Sequence, residues 1–177
     1  MPVMYKKKIL IVVSLLMTML LAGCSFLYKL PPSEPLSADE AKEFLTQHRE
    51  DIDTIVDYLK ELEYKSVFID ADNKKIFYDF EYHDISSWNV NACIHRLWID
   101  GCIEISKNDT QERNAISFDI WRKIIGSEDC GIACTIDGQG MPKTEFQTYC
   151  EEIDDGWYYY YDDYEEYRKN PSKYKGN

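Results

Sequence analysis

The residues with the most distinctive chemistry are five consecutive aromatics, Trp157-Tyr158-Tyr159-Tyr160-Tyr161. Successive side chains of a strand point to opposite faces, so Trp157, Tyr159 and Tyr161 share one face. An exposed aromatic face can pack against sugar rings or against a partner protein's side chains. The run predicts a binding platform. The alternative is that tyrosines suit strands and keep their hydroxyls in water.

Acidic residues crowd the same part of the chain: Glu151, Glu152, Asp154, Asp155, Asp162, Asp163, Glu165 and Glu166. Carboxylate oxygens bind calcium, but these residues lack the spacing of a calcium loop, and runs of charge are usually solvated surfaces. We therefore predict no metal and no cofactor. The paired carboxylates of a glycoside hydrolase leave no sequence signature, so a hydrolase with unrecognised acids stays open as an alternative.

Motifs for nucleophilic catalysis are missing from the sequence. It contains neither Gly-x-Ser-x-Gly nor a papain-like cysteine signature, and it has no glycine-rich phosphate loop. No recognisable spacing pairs His83 or His95 with a cysteine. We therefore assign no catalytic residue and predict that the protein is not an enzyme.

Five cysteines follow Cys24: Cys93, Cys102, Cys130, Cys134 and Cys150. Outside the cytoplasm, an odd number leaves at least one thiol unpaired or bonded to another chain. We predict a Cys93–Cys102 bridge and one bridge among the other three, whose connectivity the sequence leaves open. Cys130 and Cys134 lie ~13 Å apart on one strand face at ~3.3 Å per residue, too far to bond each other. Their spacing matches no usual zinc site.

The N-terminus has the layout of a secretory signal, with Lys6-Lys7-Lys8 before an apolar run over residues 9–21. The following Leu21-Ala22-Gly23-Cys24 resembles the lipobox of bacterial lipoproteins at every position. The resemblance implies that the Cys24 thiol receives a diacylglyceryl group and that a signal peptidase removes residues 1–23. Two acyl chains, at ~0.8 kcal/mol per buried CH₂, suffice for stable anchoring.

Two other interpretations of this segment remain open. Extended to residue 27, the apolar run approaches the ~20 residues that span a bilayer as an uncleaved helix. The segment also fits an ordinary secretory signal, in which Cys24 has no special role. All three interpretations place the globular part outside the cytoplasm. The lipobox interpretation predicts a lipid anchor on the extracytoplasmic face of the cell membrane, or of an outer membrane where the source has one.

Charge narrows the set of partners. The chain of 177 residues has a formal net charge of −12, and loss of residues 1–23 removes three lysines and no acid, which makes it −15. Such a negative charge argues against nucleic acid as a partner, because nucleic-acid binding needs a basic surface. It also argues against binding of the domain along an anionic membrane surface, which needs basic residues. The remaining length suits one domain with a proper core.

The domain organisation follows from composition. Residues 24–37 form a tether in which Pro31, Pro32 and Pro35 favour extended polyproline II. Residues 38–166 form a single globular domain. Residues 167–177 form a tail, predicted to be disordered.

The clearest predicted element is a helix that starts at residue 38. Ser37 and Glu40 fit a capping box. Apolar residues then recur at three- and four-residue steps: Ala41, Phe44, Leu45, Ile52, Ile55, Val56, Leu59 and Leu62. The spacing predicts one amphipathic helix of roughly seven turns packed on a sheet.

Strand patterns occupy most of the rest of the chain. Residues 66–71 and 76–82 flank a hairpin turn, and residues 102–106, 115–121, 131–136, 146–153 and 157–161 follow. Residues 86–98 fit either a second, short helix, which we favour, or part of a hairpin around Asp100-Gly101. We therefore predict an α+β fold, with one long helix on an antiparallel sheet of about six strands.

For function, these patterns favour a lipid-anchored cell-envelope lipoprotein that binds a protein or a glycan without catalysis. The alternatives are an extracytoplasmic hydrolase and an acidic inhibitor or immunity-type protein that neutralises a basic enzyme.

Overall fold

Helices and strands alternate irregularly along the chain. The computed structural model describes residues 34–110, 113–123, 128–144 and 147–174. In that part of the chain the helices are α1 (Ala38–Gln47), α2 (Arg49–Glu61), α3 (Trp88–Ile99), α4 (Tyr164–Lys169) and α5 (Pro171–Tyr174). The strands are β1 (Ser66–Asp70), β2 (Lys75–Tyr78), β3 (Glu81–Asp84), β4 (Glu104–Asp109), β5 (Asn114–Arg122), β6 (Glu128–Cys134), β7 (Gln147–Asp154) and β8 (Trp157–Asp163).

The strands form one antiparallel sheet in the order β3-β2-β1-β4-β5-β6-β8-β7. The predicted number of about six strands was wrong, because the sheet has eight. One reason is the stretch predicted as a single strand over residues 76–82. Asp79 and Phe80 both adopt positive φ angles, +52° and +66°. That two-residue turn folds the stretch back on itself, and β3 extends the sheet edge.

The predicted single helix of seven turns was also wrong. His48, with φ −111° and ψ 16°, ends α1 and precedes α2. Its amide donates to the Phe44 carbonyl at 3.0 Å, its carbonyl accepts from the Ile52 amide at 2.9 Å, and its buried ring packs on Phe44. The break lets α1 contact β6, β7 and β8 while α2 packs beside α3. A single straight helix has one axis direction, whereas the break at His48 allows α1 and α2 to pack in different directions on these different neighbours.

Local capping signals agree with the structure. Ser37 and Glu40 form the predicted capping box, with the Ser37 amide 2.7 Å from the Glu40 carboxylate. The Ser87 hydroxyl accepts from the Val90 amide at 3.3 Å and starts α3. The helical interpretation of residues 86–98 is therefore confirmed.

The hydrophobic core lies between helices α1–α3 and one face of the sheet, called here the inner face. The helices contribute Leu45, Ile52, Ile55, Leu59, Ile94 and Leu97, and the strands contribute Ile69, Ile105, Ile116, Phe118 and Ile132. The ammonium group of Lys107, also buried, caps α2 by donating to the carbonyls of Leu59 (2.9 Å) and Leu62 (2.6 Å). The opposite face of the sheet is the outer face.

The cysteines do not form the predicted bridges. Cys93, Cys102, Cys130, Cys134 and Cys150 are all free thiols. The Cys93 sulfur accepts a hydrogen bond from Arg96 at 3.4 Å, whereas the Cys102 thiol donates to the Glu104 carbonyl at 3.6 Å. In place of the predicted Cys93–Cys102 bridge, each of the two sulfurs makes its own hydrogen bond.

The predicted leader and lipidation residue, residues 1–23 and Cys24, lie outside the described residues. The predicted tether is described only from residue 34, and the predicted tail overlaps α4 and α5. Among the described helices, none combines the length and apolarity needed to cross a membrane.

Candidate functional site: the outer face of the sheet

Small side chains occupy the centre of the outer face and are called here the floor. Ser106 on β4 lies opposite Ser117 on β5, and their hydroxyls are 2.8 Å apart. Ala133 on β6 continues the same cross-strand row. Phe68 borders this floor on β1, and Tyr158 borders it on β8. Because directly opposed residues of neighbouring strands share a face, the small side chains of this row lie between the rings of Phe68 and Tyr158.

A second row runs beside the first and contains Glu104, Asp119, Gly131 and Tyr160. Gly131 separates Asp119 from Tyr160, and the Tyr160 hydroxyl nevertheless donates a hydrogen bond to the Asp119 carboxylate. The tyrosine side chain can cross the intervening strand because glycine places no side chain in its way. A Cβ atom at residue 131 would also lie 1.9 Å from the Phe118 carbonyl oxygen.

Arg122 links the acids of this row. One guanidinium nitrogen lies 2.6 Å from a Glu104 carboxylate oxygen and 2.7 Å from an Asp119 oxygen, and Nε lies 3.8 Å from Asp129. Residues three apart on a regular strand face opposite sides. A β-bulge between Asp119 and Trp121 shifts this alternation, so Arg122 and Asp119 both reach the outer face.

Burial sets the protonation of this cluster. It raises the pKa of the Asp119 carboxyl to about 7, aided by the charges of Asp129 and Glu104 and opposed by the Tyr160 hydrogen bond and Arg122. The same burial, with the neighbouring Asp119 charge, raises the pKa of Tyr160 well above its usual value. Near neutral pH the Asp119 carboxyl group is therefore partly protonated, while the Tyr160 hydroxyl keeps its proton and remains a hydrogen-bond donor.

A cavity of about 320 Å³ opens over part of these two rows and is called here the outer cleft. It is lined mainly by polar side chains, including Ser106, Ser117, Asp119, Arg122, Tyr160 and Asp162. The volume is at the lower end of the ~300–1,000 Å³ typical of ligand sites. Thr144 at its edge donates to Asp162 at 2.7 Å. The cleft can offer hydroxyl, carboxylate and guanidinium groups to a polar ligand.

The residues predicted as a binding platform lie on the inner face. Trp157 and Tyr159 are buried, at 5% and 7% exposure, and Tyr161 is half-buried. The Tyr159 hydroxyl donates to the Leu36 carbonyl at 2.8 Å, and the Tyr161 hydroxyl donates to Glu128 at 2.6 Å. The opposite set of the aromatic run, which contains Tyr158 and Tyr160, faces outward.

Sequence reasoning missed the outer-face cluster, although part of its signal is visible. In β5, polar Ser117 and Asp119 alternate with apolar Ile116 and Phe118. This alternation marks Ser117 and Asp119 as outward-facing. It does not indicate that Tyr160, 41 residues further along the chain, meets Asp119.

The acidic residues near the C-terminus are dispersed in space. Asp162 joins the outer cleft, whereas Asp154 pairs with Arg49 at 2.9 Å on the helix side. Within the described part of the chain, no three His, Cys, Asp or Glu side chains converge as metal ligands would. We assign no cofactor to the outer cleft. Comparisons of the chain with protein-family models, with curated proteins and with solved structures find no match.

Proposed function

We propose that this chain is a lipid-anchored, extracytoplasmic lipoprotein of the cell envelope whose domain binds a polar ligand in the outer cleft without catalysis. The observation that carries the binding role is the cleft itself, a polar cavity on the sheet face opposite the main helices. Proteins and glycans are the ligand classes compatible with its polar lining.

The support for a non-catalytic role is the engagement of the cleft's carboxylates. Both oxygens of Asp119 already accept hydrogen bonds, one from Tyr160 and one from Arg122. Arg122 also holds Glu104. A general acid or nucleophile must reach the substrate, but these contacts direct the groups toward each other. They favour a rigid, preorganised binding surface.

The hydrolase alternative keeps one specific observation in its favour. Asp119 has a pKa near 7 in a cleft that also holds Glu104, and perturbed carboxyl pairs are a feature of acid–base sites. If the protein were a hydrolase, Asp119→Asn would abolish turnover of the bound ligand. Recovery of the ligand unchanged after prolonged incubation with the wild type supports binding without catalysis.

The proposed anchor rests on the resemblance of Leu21-Ala22-Gly23-Cys24 to a lipobox. Lipidation at Cys24 would hold the domain at the extracytoplasmic surface on a short proline-containing tether. A lipid-anchored binding module there meets polysaccharides and proteins of the envelope at high effective concentration.

The binding role is tested by co-sedimentation of the full-length protein, in detergent, with isolated envelope fragments. Ser106→Trp fills the floor of the cleft, and Thr46→Trp places the same side chain on the exposed surface of α1. We expect Ser106→Trp to lose retention and Thr46→Trp to keep it. Equal retention of both variants contradicts the assignment of the cleft.

A further inference from the structure

One row of outer-face side chains runs from the β3 edge of the sheet to the outer cleft. Tyr82 on β3 lies opposite Phe77 on β2, which lies opposite Phe68 on β1. Phe68 is followed by the floor residues Ser106 and Ser117. The next residue of the row, Ala133 on β6, is fully buried, so the accessible part of the row ends at Ser117. We call the five residues Tyr82, Phe77, Phe68, Ser106 and Ser117 the transverse row.

The transverse row begins with exposed aromatic rings. Tyr82 is 61% exposed, and its ring centroid lies 4.9 Å from that of the half-buried Phe77. Phe68 is half-buried and lines the cleft. With neighbouring strands ~4.8 Å apart, the five positions span roughly 19 Å. This length suits an extended chain of several units better than a single small molecule.

No member of the transverse row carries a charge. Beside the row, Lys75 pairs with Asp84, and Arg122 pairs with Glu104 and Asp119. Arg113 and Lys143 also line the outer cleft but do not belong to the row, so a ligand that lies along the row itself packs on uncharged side chains. An uncharged ligand that forms hydrogen bonds and packs on aromatic rings matches the surface.

A peptide fits this surface less well than a sugar chain. Peptides gain affinity on sheets by adding a strand at an exposed edge, where main-chain groups are unpaired. The transverse row runs across the strands and offers only side chains. Sugar hydroxyls both donate and accept hydrogen bonds, as the hydroxyls of Ser106 and Ser117 require, and the CH faces of sugar rings pack on aromatic rings.

We propose that the ligand of the outer cleft is a linear, uncharged glycan that lies along the transverse row. This proposal rests on the proposed function and specifies its ligand class. Sugar rings would pack on Tyr82, Phe77 and Phe68 at one end, and their hydroxyls would bond to Ser106 and Ser117 in the cleft.

The test measures retardation of the full-length protein, in detergent, during affinity electrophoresis in gels that contain one polysaccharide each. The neutral probes are linear β-glucan, mannan, xylan and oligomers of N-acetylglucosamine. The charged probes are polygalacturonate and chitosan. We expect at least one neutral glycan to bind more tightly than either charged one, with affinity that rises with chain length.

Matched variants locate the binding surface. Tyr82→Ala removes an exposed ring of the row, and Phe80→Ala removes a 95% exposed ring from the neighbouring turn, outside the row. We expect Tyr82→Ala to weaken glycan binding about tenfold and Phe80→Ala to leave it unchanged. Phe77→Ala should weaken binding as well, with its fold checked by circular dichroism.

Several outcomes overturn the proposal: no retardation by any neutral glycan, tighter binding of a charged probe, or equal losses in the Tyr82 and Phe80 variants. If no neutral glycan binds while Ser106→Trp still abolishes retention on envelope fragments, the cleft remains a binding site and the sugar chain is excluded as its ligand. If Ser106→Trp has no effect on retention either, the proposed function fails as well.

Discussion

Tyr160 reaches across the intervening strand, over Gly131, to donate a hydrogen bond to the buried carboxylate of Asp119. This hydrogen bond joins β8 to β5 by side chains across β6, which separates them in the sheet. Arg122 extends the connection to β4 through Glu104. The floor of the outer cleft is consequently a cross-linked surface, and its stability depends on Gly131, Tyr160 and Asp119.

Gly131→Ala should destabilise the domain strongly. The added Cβ would lie 1.9 Å from the Phe118 carbonyl oxygen, and this backbone atom cannot move without shifting β5. We expect a loss of about 3 kcal/mol in the free energy of unfolding, at the upper end of the usual cost of overpacking, measured by urea denaturation.

The control is Gly138→Ala. Gly138 has open space around its Cβ position but a φ of +71°, so alanine there suffers about 1–2 kcal/mol of left-handed strain alone. A Gly131 variant no less stable than the Gly138 variant would show that the close approach to Phe118 is not limiting.

Tyr160→Phe should cost roughly 1–3 kcal/mol of stability, because it leaves a buried oxygen of Asp119 without its donor. It should also raise the pKa of Asp119 further, since the tyrosine hydrogen bond favours the carboxylate. The pKa is measured by NMR titration of the Asp119 carboxyl carbon. Tyr158→Phe, at a half-exposed position on the same face, should change both quantities little, and a similar effect of the two variants would contradict the role given to the hydroxyl.

Stability should fall as the pH rises toward and through neutrality. The pKa of Asp119 is about 7 in the folded chain and ~3.9 when unfolded. Between these values the folded state binds the extra proton, so the contribution of Asp119 is fully present below pH ~4 and is lost as the pH passes 7. We expect the loss to be on the order of 4 kcal/mol, at about 1.36 kcal/mol per pKa unit.

The Asp119→Asn variant lacks this titrating group. Comparing it with the wild type separates the pH dependence due to Asp119 from that of the other acidic residues. The difference in unfolding free energy between wild type and variant, measured by urea denaturation from pH 4.5 to 8, should shift in favour of the variant up to about pH 7 and level off above it. A difference that is independent of pH would mean that Asp119 titrates normally.

Phe80→Gly should stabilise the domain by roughly 0.5–1 kcal/mol. Phe80 has a φ of +66° in the β2–β3 turn while its ring is 95% exposed, so glycine relieves backbone strain and loses almost no packing. Phe80→Ala keeps the strained φ and should leave the thermal midpoint almost unchanged. Equal shifts in the two variants would attribute the effect to the ring instead of the backbone.

Lipidation at Cys24 predicts a specific mass. Protein extracted from membranes should have the mass of residues 24–177 plus a diacylglyceryl group, and a Cys24→Ala variant should lack that addition and keep residues 1–23. Intact-mass spectrometry distinguishes the cases. An unprocessed, unlipidated wild type would instead support an uncleaved membrane helix.

The local signals in the sequence predicted much of the secondary structure. Ser37 and Glu40 cap α1 through contacts within three residues, and each stretch with a strand pattern overlaps a strand of the sheet. The long helix was predicted wrongly because its apolar stripe continues through residue 48. The break at His48 depends on how α1 and α2 pack on different neighbours, which periodicity does not contain.

By itself, the sequence determined that alternate residues of 157–161 face opposite sides of a strand, because a strand repeats every two residues. It did not determine which side is buried. Both sets are aromatic, so only the helices packed on Trp157 and Tyr159 decided that Tyr160 faces outward. The meeting of Tyr160 with Asp119 likewise required β6 to lie between their strands with a glycine at the crossing point.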